Sequence, residues 1–60
     1  MLNLKPNFDD TDGFYAALLG AHEGLSDAES EALNARFILI LANHIGNEGV
    51  LKAALEAAKS

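Results

Sequence analysis

The stretch between Ser26 and Gly46 constrains the fold of this chain more than any other. Ser26-Asp27-Ala28-Glu29 has the pattern of a capping box, in which the serine hydroxyl and the glutamate carboxylate each accept a bond from the other residue's backbone N–H. A helix starting there runs to about Ile45 and stops at Gly46, which gives about 19 residues and a length of roughly 28 Å. At 100° per residue, Leu33, Phe37, Ile40, Leu41 and His44 form one stripe, broadened by Ile38 and Ile45. Ala28, Ala32, Ala35, Leu39 and Ala42 form a second, small-residue stripe on the far side, and only Arg36 and Asn43 mark a polar edge in the C-terminal half. A helix that is apolar nearly all round must be covered nearly all round. A chain of 60 residues has little with which to do it.

Two further helices and a leader complete the chain. Asp9-Asp10-Thr11-Asp12 offers short oxygen-bearing side chains to free backbone N–H groups, so a helix is expected from about 10 to 23, closed by a left-handed Gly24. It places Phe14, Tyr15, Leu18, Leu19 and His22 on one arc. Asn47 can cap a third helix over about 48–59, with Val50, Leu51, Ala54, Leu55 and Ala58 on one side and Lys52, Glu56 and Lys59 on the other. Glu48 with Lys52, and Lys52 with Glu56, have the spacing of surface ion pairs. Residues 1–9 hold Pro6 and the apolar Leu2, Leu4 and Phe8, which suits an extended arm. The reading is all-α: one domain over 1–60, three helices and an extended N-terminal arm.

The short Gly24-Leu25 turn predicts an antiparallel hairpin of the first two helices, with His22 level with about Glu29, Leu18 with Leu33 and Phe14 with Phe37. The segment from Ile40 to Ile45 then projects past the start of the first helix. The third helix and the leader can shield one side of it, leaving the stripe of Ala35, Leu39 and Ala42 free. The expectation is therefore a homodimer, or a subunit docked on a larger protein, with Ala35, Ile38, Leu39, Ala42 and Ile45 at the contact. The alternative is a monomeric three-helix bundle whose remaining apolar surface is ordinary.

Composition narrows the chemistry. Nine acidic against four basic residues give a net charge of −5, which opposes binding to nucleic acid or to an anionic membrane. The absence of cysteine removes disulfides and thiolate zinc sites. No apolar run reaches a membrane span and the N-terminus has no signal-peptide pattern, so a cytoplasmic location is expected. Ser26 is used as a cap, Ser30 has no histidine adjacent in sequence and Ser60 is terminal, so no nucleophilic constellation forms. The glycine spacing makes no phosphate loop. Asp9, Asp10 and Asp12 read as capping residues without a calcium-loop register, and neither a catalytic residue nor a cofactor is expected. His22 and His44 are the candidate metal ligands, but within one hairpin they stand roughly 22 Å apart along the axis. A metal or small-ligand site using both would have to form across two chains. Otherwise each serves its helix end, where a cation favours the dipole.

Asp12-Gly13-Phe14-Tyr15, Ala21-His22-Glu23-Gly24-Leu25-Ser26, Leu33-Asn34-Ala35-Arg36 and Leu41-Ala42-Asn43-His44-Ile45-Gly46, with the opening Leu2-Asn3-Leu4, resemble a family of bacterial proteins of about this length, a domain of unknown function. The resemblance spans nearly the whole chain and brings no catalytic or binding residues. Members are often encoded beside flavin-dependent aromatic-ring hydroxylases and other enzymes of aromatic degradation, which implies an accessory subunit or helper.

Overall fold

The computed structural model describes residues 2–59. Three helices follow in order, α1 (Thr11–His22), α2 (Asp27–Ile45) and α3 (Glu48–Ala58), and no strand occurs among the described residues. The protein is all-α, with boundaries within one residue of those expected.

Each helix begins where a side chain can take up an orphan N–H. Asp10 accepts from Gly13 N–H at 2.9 Å and starts α1 one residue later than expected, because Asp10 serves as the cap and is not itself helical. At α2 both halves of the capping box form: Glu29 N–H donates to Ser26 Oγ at 3.2 Å, and Ser26 N–H donates to Glu29 Oε1 at 2.9 Å. Asn47 Oδ1 accepts from Val50 N–H at 3.0 Å and opens α3. The two turns depend on glycine. Gly24 has φ +75° and Gly46 φ +71°, a region that costs other residues about 1–2 kcal/mol. Gly46 N–H closes α2 on the carbonyl of Ala42 at 2.8 Å.

The α1–α2 hairpin has the expected register. The Phe14 and Phe37 rings stack with centroids 6.1 Å apart, and at the turn end His22 lies against Ser30. Leu18 and Leu33 are both half-buried. Phe8 from the leader also stacks with Phe14, at 5.7 Å, so three aromatic rings connect the arm, α1 and α2. The rest of the arm is less engaged: Leu2 is half-buried and Leu4 exposed.

The helices otherwise hold one another at side-chain length, with few backbone positions of one within 8 Å of another. No described residue is fully buried. The radius of gyration is 13.2 Å, whereas about 10 Å is usual for a compact chain of this length. The hairpin and α3 are thus loosely associated, with little packing between helices. On α3, Val50, Leu51 and Ala54 are half-buried while Leu55 is exposed. Lys52 pairs with Glu48 at 2.9 Å as expected, but not with Glu56, which takes Lys59 one turn on at 3.2 Å.

Candidate functional site

The C-terminal half of α2 is where sequence and structure diverge from an ordinary fold. Phe37 through Ile45 contains no Asp, Glu, Lys or Arg, so no charge there profits from contact with water. Water is nonetheless what most of it meets. Ile38 is 62% exposed, Leu39 69%, Ile40 66%, Leu41 43% and Ile45 49%. Four successive helical residues span 300° of the wheel, so the exposure is not confined to one flank.

The five residues expected at a contact do not stand alike. Ala35, Ile38, Leu39 and Ile45 are exposed, and Ala42 is half-buried within the chain. All five sit within an arc of α2 turned away from α1, because Leu33 and Phe37, which face α1, lie about half a turn of the wheel from Ala35. The third helix and the leader can shield one side of the Ile40–Ile45 segment, yet Ile40 and Leu41 are both exposed. The arm's Phe8 is used on Phe14, and α3 leaves Gly46 with only Val50, Leu51 and Ala54 half-buried.

Between α1 and α2 lies a groove of ≈ 150 Å³, walled by Phe14, Ala17, Leu18 and Ala21 on one side and by Leu33, Asn34 and Phe37 on the other. Asn34 is its sole polar residue. The volume falls below the roughly 300–1,000 Å³ of ligand pockets. It arises because Ala17 and Ala21 are too small to fill the space between helices that Phe14 and Phe37 prop apart at one end.

His22 Nδ1 makes a hydrogen bond with Ser30 Oγ at 3.0 Å, a half-buried pair that fastens the end of α1 to the first turns of α2. Ser30 had shown no histidine beside it in sequence, and this pairing was missed. A signal was available: Ser30, Leu33 and Phe37 have the i, i+3, i+7 spacing of one helix face, and the hairpin register puts His22 one residue from Ser30. His44 is exposed in the last turn of α2. Among the described residues no three His, Asp or Glu side chains gather as a metal-binding group.

Among the described residues, the perturbed titration belongs to the cap. Glu29 is held below the ordinary carboxylate value of 4.5, first by the bond from the Ser26 backbone N–H and then by the Ser26 side chain. It is an architectural carboxylate whose charge also favours the N-terminus of α2. No helix among the described residues is long and apolar enough to cross a membrane.

In comparison with known proteins, the family model described as "Protein of unknown function (DUF2783)" matches residues 2–60. No curated protein and no solved structure matches the chain.

Proposed function

We propose, from the premise that this chain belongs to the DUF2783 family of proteins of unknown function, that it is a noncatalytic interaction protein which works by docking α2 on a protein partner. The partner is a second copy or a larger protein. One observation carries this reading: Ile38, Leu39, Ile40 and Leu41 are exposed in succession in a chain without one buried residue among those described. Apolar surface contributes about 25 cal/mol per Å² when removed from water, and the single chain leaves that contribution unused at its most apolar segment. Contiguous apolar surface of this kind marks interaction sites.

A narrower version follows from the family resemblance alone: the partner is a flavin-dependent aromatic hydroxylase or another enzyme of aromatic degradation, with this chain as its accessory subunit in the cytoplasm. The cross-chain metal reading with His22 and His44 receives less support, since no three His, Asp or Glu side chains gather as a metal-binding group among the described residues.

The test is recovery of the native complex from its own cell, followed by mass measurement of the intact assembly. The expected result is this chain in complex with itself or with a larger protein, lost on Leu39→Glu while helicity is kept. Recovery as a free monomer, or unchanged association of Leu39→Glu, overturns the proposal.

A further inference from the structure

Resting on the docking role proposed above, we infer that the partner of α2 is α2 of a second copy, packed antiparallel about a two-fold axis between Ile38 and Leu39. Three observations choose this occupant. The first is area. The chain exposes 5296 Å², whereas a compact monomer of 6.3 kDa exposes about 3,700 Å². The surplus is therefore about 1,600 Å² per chain, spread over the arm and all three helices, and a standard-size interface of about 800 Å² per partner would take up about half of it.

The second is charge. A chain of net charge −5 repels its own copy wherever carboxylates face each other. Phe37 to Ile45 carries no charged side chain, so two copies can meet there without opposing like charges.

The third is side-chain spacing. Ala32, Ala35, Ile38, Leu39, Ala42 and Ile45 lie within one arc of about 140° on the wheel of α2 and are placed symmetrically about a point between Ile38 and Leu39. In a two-fold contact, each residue that touches a partner residue is touched by its counterpart in return. An axis between Ile38 and Leu39 sets Ala35 against Ala42 of the second copy, and Ile38 against Leu39. The small pair lets the backbones approach, and the large pair fills the middle. Ile40 lies on the other flank of α2, outside the seam.

The chain contains no cysteine, so introduced thiols report the arrangement directly. In the antiparallel register, Ala35 of one copy and Ala35 of the other stand about 10 Å apart along the axis, as do the two Ala42 residues. That exceeds the roughly 7 Å limit between α-carbons for a disulfide. Chains carrying Ala35→Cys or Ala42→Cys should therefore cross-link poorly alone and well when co-expressed together. Sedimentation of the unmodified chain should give twice 6.3 kDa at micromolar concentration. Ile38→Gln should raise the dimer dissociation constant at least tenfold, while Ile40→Gln leaves it unchanged. Efficient linking of either single variant alone overturns the antiparallel register. A monomer mass at every concentration overturns self-association, yet the docking role still stands if the native cell yields a complex with a larger protein that Leu39→Glu abolishes. A free monomer there as well sinks both.

Discussion

Ser26 and Glu29 illustrate how much two residues can decide. Their reciprocal bonds fix the first turn of α2, and the bond from the Ser26 N–H keeps the Glu29 carboxyl ionised below its ordinary pH. Because the folded value is depressed, the contribution of Glu29 to stability is present above pH 4.5, where the unfolded carboxyl is ionised, and is lost as pH falls through the folded value. An acid titration of helicity should therefore show α2 weakening below about pH 4.5, and Glu29→Gln should flatten that dependence. Ser26→Ala should cost about 1 kcal/mol in urea unfolding at neutral pH. The His22–Ser30 bond is the second residue-scale device. Ser30→Ala leaves the ring's partner atom missing at a half-buried site, and a loss of about 0.5–1.5 kcal/mol is expected. No change in stability would mean that the bond does not persist in solution.

At the scale of elements, aromatic stacking and the glycine turns hold the hairpin together. Phe14 stacks with both Phe8 and Phe37, so it links the arm, α1 and α2. A double-mutant cycle on Phe14 and Phe37 should give a coupling of about 0.5–1.5 kcal/mol, and Phe14→Ala should also release the arm. Protease cleavage between residues 2 and 10 reads that release. Gly46→Ala forces a left-handed backbone on a residue with a Cβ, and should destabilise the chain by about 1–2 kcal/mol. Since the α2–α3 turn lies at the uncovered end, amide exchange in α3 should accelerate more than in α1. The ion pairs of Lys52 with Glu48 and Lys59 with Glu56 are solvent-exposed, and their removal should change little.

The whole molecule is defined by what it fails to cover. A radius of gyration of 13.2 Å is large for 60 residues, and each helix keeps large apolar side chains exposed. If a second copy supplies the missing cover, folding and assembly are linked and the thermal midpoint rises with protein concentration. A differential scanning series over a hundredfold concentration range checks this, and a constant midpoint would speak for a monomer that folds alone. Scattering from the assembled form should give one particle in which the α2 segments are internal. Partial unfolding on dilution should begin at α3, whose only half-buried residues are Val50, Leu51 and Ala54.

The sequence by itself determined the helices, because caps and left-handed turns are local: Asp10, Ser26 with Glu29, and Asn47 act within three residues, and Gly24 and Gly46 within one turn. It also determined the hairpin register, since a short turn and a fixed rise per residue set Phe14 level with Phe37 on α2. Only the tertiary structure decided which apolar residues stay uncovered. Ile40 and Leu41 have the pattern of inward-facing residues, yet they are exposed, because cover depends on where α3 and the arm come to lie. Three-dimensional placement likewise joined His22 to Ser30 across eight residues. Periodicity tells which side chains avoid water; the reach of neighbouring elements sets which of them succeed.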